Sequence, residues 1–374
     1  MNSPAFILTT CGTSLLTNGI KDENFRRTFL KYTNCLNWQE IDESLHTQFQ
    51  QHFDERRQQL LAGNEPTAKI MSAELNGLIT WQEQNEASSR NIYYLLATDT
   101  LFGQTTAQII KQWLDKHGFQ TQIISQSGLR TLNLLEFRGA LSGLVEQLIQ
   151  TIQGYKDNGF EIYFNLTGGF KSLNGFLQSV STIYADKTFY LFEGKDSELL
   201  YIPKLPYTLN TKALIEEHML CFRRFEQNLP VNQSLLDNFP NSLLMADGDM
   251  LSEWGEIIWL SGYKELFKKT IYNSISPQVI FESDFVRSCQ DLTAELKIEV
   301  NKKVAMLAAF VENNCKNNLK SLDAKPLQEK QYKDENYWEC DVDGKHYRIF
   351  MRKEGSKFYL MQVREALHKA KSTI

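Results

Sequence analysis

Two short stretches concentrate the residue types that can grip an anion: Thr10-Cys11-Gly12-Thr13-Ser14 and Thr167-Gly168-Gly169-Phe170-Lys171. Each leaves an apolar run and leads into a helical pattern, in AFILTTCGTSLLTN and FNLTGGFKSLNGF. Glycines let backbone N–H groups approach an oxyanion, hydroxyls donate further bonds, and Lys171 adds a positive charge. A third stretch, Ala97-Thr98-Asp99-Thr100-Leu101-Phe102-Gly103, follows another apolar run and offers Asp99 to a ribose hydroxyl or a base edge. Glycines here also suit tight turns, but matched loops on one sheet edge favour a crevice for a phosphorylated ligand. There is no GxxxxGKS/T, which disfavours a P-loop nucleotidase, and no GxGxxG after the first apolar run, which disfavours a dinucleotide cofactor.

The elements that must position these loops alternate along the first two hundred residues. Apolar strands are expected at AFILTT, NIYYLLAT, TQIIS, EIYFNLT and KTFYLF, with helical patterns between them that close at Gly118 and Gly159. That order predicts an α/β domain, a parallel sheet with helices on both faces, over residues 1–206. Ligands in such sheets sit beyond the carboxyl ends of the strands, where all three loops fall. Residues 24–90 read as a helical insertion, with Leu45, Phe49, Phe53, Leu60, Ile70 and Leu75 at roughly helical spacing. A helical, weakly winged-helix-like connector is expected over 207–282, with a helix starting near Ser252. Residues 283–374 then read as an α+β unit of two helices and an antiparallel sheet. Its three alternating strands, NYWECDV, KHYRIFMRK and KFYLMQV, are joined at Asp343-Gly344 and Glu354-Gly355.

The bulk figures bound the function. A chain of 374 residues with 42% hydrophobic and 23% charged content reads as two or three soluble domains. The absence of a long apolar stretch or a secretory-type start predicts a cytoplasmic protein with no membrane partner. Six dispersed cysteines and six dispersed histidines show no ligand spacing, so neither a metal site nor a disulfide framework is expected. The net charge of -5 argues against general nucleic-acid coating. From Lys345 onward, however, eight lysines and arginines stand against two glutamates, the asymmetry of a polyanion partner for one part only.

The pairing of LTTCGTSLLTN with NLTGGFKSLNGF resembles the CRISPR-associated Rossmann-fold (CARF) sensor domains over about residues 1–206. The resemblance implies a homodimer that binds cyclic oligoadenylate, here the cyclic tetra-adenylate, as an allosteric ligand at its two-fold axis, with no cofactor. It places Thr10, Cys11, Gly12, Thr13 and Ser14 from one loop and Thr167, Gly168, Gly169, Phe170 and Lys171 from the other at the ligand, with Thr98 and Asp99 beside them. It also implies that Ser14 and Lys171 can promote slow cleavage of the ring.

Over about residues 283–374, the strands YWECDV and HYRIFMR and the ending REALHKA resemble the RelE family of mRNA-cleaving toxins. That family cuts messenger RNA on the ribosome without metal, by attack of a ribose 2′-OH on the adjacent phosphodiester. The resemblance gives Arg348 and Arg364 the charge-stabilising role and lets His368 or Lys369 stand where relatives carry an aromatic hydroxyl. Where relatives carry catalytic lysines, this chain has Glu339 and Asp341. The base therefore stays open between Glu339, His346 and His368, with Lys345 and Arg352 as further phosphate contacts. The joint expectation is a cyclic-oligoadenylate-activated, ribosome-dependent endoribonuclease. A ligand-controlled transcription regulator and a ring nuclease remain as alternatives; SEWGEIIWL has two glutamates and no lysine or arginine, which weakens the former.

Overall fold

The computed structural model describes residues 3–85, 88–130, 133–192, 198–204, 210–245, 248–316, 318–327, 336–344 and 346–365. The chain divides into two compact units, Met1–Thr208 and Leu209–Ile374. In chain order the first contains β1 (Ala5–Cys11), α1 (Ser14–Thr17), α2 (Glu23–Lys31), α3 (Glu43–Ala62), α4 (Glu65–Met71), α5 (Ala73–Gln84), β2 (Ile92–Ala97) and α6 (Leu101–Lys116). It continues with β3 (Gln120–Ser125), α7 (Leu134–Asp157), β4 (Glu161–Asn165), α8 (Lys171–Tyr184), β5 (Lys187–Leu191) and β6 (Leu199–Ile202).

The sheet order is β3-β2-β1-β4-β5-β6. The first five strands are parallel, as their near-continuous apolar runs predict, whereas β6 joins the edge antiparallel and makes the sheet mixed. All seven residues of β1 are buried. Ile7 and Cys11 on one face of β1 join a core with Phe49 and Phe53 of α3, Leu75 and Leu78 of α5 and Trp113 of α6. On the other face, Phe6 packs its ring 4.8 Å from Tyr155 of α7. The insertion is thus a large part of one helical layer. Ile70, expected in that core, is 79% exposed. The helix stops at Met71 and restarts after Ser72, whose hydroxyl accepts from Leu75 N–H, and this break shifts the phase.

The second unit begins with α9 (Thr211–Glu217), α10 (Met219–Glu226), α11 (Gln233–Leu236) and α12 (Glu253–Phe267). After these come β7 (Val279–Phe281), α13 (Ser283–Ser288), α14 (Ala294–Glu312), β8 (Lys325–Pro326), β9 (Tyr337–Asp341), β10 (Tyr347–Glu354) and β11 (Lys357–Glu365). Ser252 caps α12 as expected, but that helix is a core element, with Ile257, Trp259, Leu266 and Phe267 buried. The meander β9-β10-β11 is antiparallel, and β7 adds to it parallel to β11. The boundary expected at 282/283 thus falls just after a strand of the C-terminal sheet. Val300, Val304, Leu307 and Ala308 of α14 pack on Cys340, Ile349, Met351 and Leu360.

Polar rivets join α10 to α14. Arg224 donates to both Glu312 carboxylate oxygens, at 3.0 and 2.9 Å, and to the carbonyls of Pro230 and Ile275. Arg223, 2% exposed, donates to the Asn273 carbonyl at 2.6 Å, and burial pulls its pKa down to about 10. Burial alone would raise the Glu312 pKa, but the Arg224 hydrogen bonds and charge prevail and lower it. Its contribution to stability is therefore present above the ordinary glutamate value and lost as pH falls through the depressed folded value. Glu312→Gln should cost about 2 kcal/mol at neutral pH and flatten the acid limb, checked by urea unfolding at pH 7 and pH 4.

Candidate functional site

The loops after β1, β2 and β4 meet where the order of strands reverses, since β1 lies between β2 and β4. The register sets Cys11 beside Ala97 and Thr9 beside Asn165, so the loops leave the sheet side by side. Two hydrogen-bond systems lock them. The Thr10 hydroxyl donates to the Gly168 carbonyl at 2.7 Å, and the Asn174 amide donates to the same carbonyl at 2.8 Å. The second system centres on Glu74 of α5, which is fully buried. Its Oε1 accepts from Gly12 N–H at 2.8 Å, and its Oε2 accepts from the Ser14 and Ser72 hydroxyls at 2.6 and 2.7 Å.

The glycines follow from this closeness. A Cβ on Gly168 would lie 2.4 Å from Glu74 Oε1 and 2.6 Å from the Thr10 carbonyl oxygen. Gly169 has φ +83, and its Cβ would meet Thr10 Cβ at 2.8 Å. Thr167 is turned inward: its hydroxyl donates to Asn165 at 2.6 Å and accepts from Leu191 N–H at 3.1 Å. Cys11 is fully buried, and burial first, then Glu74, pushes its thiol well above the usual range, which keeps it a neutral packing group.

What faces outward is a cavity of about 190 Å³. Gly12, Thr13, Gly169 and Phe170 line it from the two matched loops, and Thr98 and Thr100 from the third. Thr33 and Asn34, in the turn after α2, complete the lining. Lys171 is exposed and is the first residue of α8, whose N-terminus has no side-chain cap. The positive end of that helix therefore stands beside the cavity mouth. Larger hollows of about 460 and 720 Å³ lie along α3, away from the loops and lined mainly by glutamines and charged residues.

The structure thus brings Gly12, Thr13, Thr98, Gly169 and Phe170 to one cavity and puts Lys171 close by. Thr10, Cys11, Thr167 and Gly168 form the frame behind it. Ser14, expected at phosphate, is committed instead to Glu74 and to Ala73 N–H. Asp99, expected at a ribose or base, accepts from Gly128 N–H at 2.7 Å and ties the third loop to the segment after β3. The residues missed in the sequence are Glu74, Thr33 and Asn34. Ser72-Ala73-Glu74 reads locally as a helix cap with an acidic first turn, and nothing local marks its partners some sixty residues away.

The second unit carries the other candidate site. Arg348 of β10 and Arg364 of β11 are directly paired across the strands. Alternation puts them on one face with Phe350 and Arg352, while Ile349 and Met351 point to the core. Arg348 is held by the buried Asp341 carboxylate, which also accepts from Gly344 N–H at 2.7 Å and lies 3.8 Å from Lys303 Nζ. The Arg364 guanidinium lies 4.5 Å from the centre of the Phe350 ring. Glu339 sits opposite Phe350 and 4.0 Å from Lys325. Arg352, expected as a phosphate contact, is engaged by Glu282 and Glu354. His346 is exposed, while Lys345 and His368 lie outside the described residues. Trp338 packs edge-on to Phe358 at 5.5 Å.

The first unit is by its fold an α/β protein with a ligand-type crevice at the switch point of a mostly parallel sheet. Residues 69–205 match the family model of a CRISPR-associated protein, Cas_APE2256. The match ties this part of the chain to CRISPR systems. It covers Glu74, the Thr98 loop and the Gly168-Gly169 loop, and begins after the first loop. No described helix is long and apolar enough to cross a membrane, and among the described residues no group of three or more His, Cys, Asp or Glu is placed to hold a metal ion.

Proposed function

We propose that this chain is a sensor of cyclic oligoadenylate, the tetra-adenylate above all, coupled to a metal-independent endoribonuclease that cuts ribosome-bound mRNA in CRISPR defence. The observation that carries the sensor half is the pair of interlocked loops at the switch point, the second of which lies inside the region matching a CRISPR-associated family. A cyclic tetranucleotide has two-fold symmetry, so a homodimer would present each loop twice to it. The uncapped α8 N-terminus and Lys171 would meet phosphate.

The nuclease half rests on Arg348 and Arg364, side by side on one face of an antiparallel sheet. In the reaction the ribose 2′-oxygen loses its proton to a base and attacks the adjacent phosphorus, and the 5′-oxygen leaves with a proton. The products are a 2′,3′-cyclic phosphate and a 5′-hydroxyl. The paired guanidiniums would stabilise the charge on the pentavalent phosphate. Glu339, His346 and His368 remain the candidates for the base. The ring-nuclease alternative is weakened because the Ser14 hydroxyl is spent on Glu74. The regulator alternative is weakened because α12 is a buried core helix.

The test is cleavage of an mRNA by the full chain, with and without ribosomes, each with and without cyclic tetra-adenylate. Cleavage only with both is expected. Cleavage of bare RNA would make the effector a general ribonuclease, and silence in every lane despite ligand binding would favour the regulator. Lys171→Ala should weaken ligand activation at least tenfold, read as the ligand concentration giving half-maximal cleavage.

A further inference from the structure

The second unit holds a cavity of about 380 Å³ that shares no residue with either site described above. It lies where the chain leaving α12 meets β7, α13 and the start of α14. Its size falls within the roughly 300–1,000 Å³ of small-molecule sites. Its floor is apolar: Phe285 is fully buried, Cys289 is almost so, and Ile271 and Phe281 are partly buried against the same core. The Phe281 and Phe285 rings are tilted together with centres 4.7 Å apart. Burial pushes the Cys289 thiol up to about 11, with the Ser288 hydrogen bond and the Lys297 charge opposing it, so the thiol is a neutral part of the floor.

The charge around this floor has one sign. Lys269 and Lys297 line the cavity, and no acidic side chain does. Three acids on the neighbouring helices are committed to other cations: Glu265 to Lys268 at 2.8 Å, Asp284 to Arg287, and Glu299 to Lys302 at 3.3 Å. The walls are set before any ligand arrives. Asn301, fully buried on α14, accepts from Tyr272 N–H at 2.8 Å and donates to the Thr270 carbonyl at 2.8 Å, which fixes the stretch after α12. On the other side the Ser288 hydroxyl, at the end of α13, accepts from Val363 N–H at 2.9 Å and ties that helix to β11. A wall already in place spares a ligand the cost of ordering it.

We propose that this cavity is a binding site for a small amphiphile, an apolar body ending in one anionic group, with the body on the Phe281–Phe285 floor and the carboxylate or phosphate head met by Lys269 and Lys297. The floor rewards alkyl or aryl surface taken out of water, and the ammonium groups reward a negative head. An uncharged alcohol satisfies only the first and inorganic phosphate only the second. The site belongs to the second unit alone and does not depend on the reaction that unit performs.

The experiment is titration calorimetry on the full chain with octanoate, octyl phosphate and octan-1-ol, alongside amide exchange and melting temperatures. Both anions should bind, and octan-1-ol should bind at least roughly tenfold more weakly, the worth of a charge-assisted contact. The tighter of the two anions identifies the head. The double variant Lys269→Ala, Lys297→Ala should melt like wild type, lose at least roughly tenfold in affinity for both anions and stay within about twofold for the alcohol. Octanoate should slow exchange at the Tyr272 and Val363 amides, which brace the two walls. Anion binding no tighter than that of the alcohol, or unchanged in the folded double variant, would overturn the site. So would octanoate binding that leaves both amides unaltered, or no binding of any of the three probes.

Discussion

Glu74→Ala should lower the melting temperature of the full chain's first transition by roughly 6–12 °C, the shift expected for a loss of about 3 kcal/mol in a unit of this size. The carboxylate is fully buried and accepts three hydrogen bonds, from Gly12 N–H and the hydroxyls of Ser14 and Ser72. Truncation strands those donors away from water, at about 1–3 kcal/mol for each one left unpaired, partly offset as the hydroxyls rotate to other acceptors. It also opens a hole against Gly168, whose missing Cβ marks how tightly the carboxylate fits. Glu74→Gln should lose only about 1 kcal/mol, because its carbonyl can still accept from Gly12 and the serine hydroxyls can turn to accept from its NH2. Thermal unfolding checks the ranking, and amide exchange at β1 and α5 locates it. Equal melting points for wild type and Glu74→Ala would show that the two loops hold each other without the carboxylate.

On the proposed nuclease reading, Arg348→Ala should lower cleavage by about a hundredfold or more while cyclic tetra-adenylate binding is kept. The same substitution also threatens the fold, since Asp341 is buried and loses the guanidinium that pairs with it. Breaking such a pair costs up to about 3–5 kcal/mol, here moderated because Gly344 N–H and Lys303 stay beside the carboxylate. The two effects separate in a cycle. Adding Asp341→Asn to Arg348→Ala removes the stranded carboxylate charge but takes the ion pair from the buried Lys303, so it should restore only part of the stability, and it should restore no cleavage. Cleavage that returns with stability would reduce Arg348 to a structural residue and shift the chemistry to Arg364.

The strands of the first sheet were legible because a strand covered on both faces reads as an unbroken apolar run. β1 and β4 show it best, and they fix where the loops must emerge. β6 and β7 were not legible: LLYI and VIF are too short to carry a period, and only their neighbours make them strands. The crevice was half legible. Glycines and hydroxyls announced the two loops, but which hydroxyls face the ligand depends on Glu74, reached through the fold and not along the chain. The Asp341–Arg348 pair, by contrast, follows from the hairpin register around Asp343-Gly344, which sets the two residues opposite one another.

The riveting of α10 to α14 gives the second unit the mechanics of a stiff lever. Relative sliding of these two helices would break the two-pronged Arg224–Glu312 contact and uncover Arg223, which already gives up hydration for its carbonyl partners. A push delivered anywhere on the connector would therefore reach the Arg348–Arg364 face as displacement of a whole body, with little lost to internal bending.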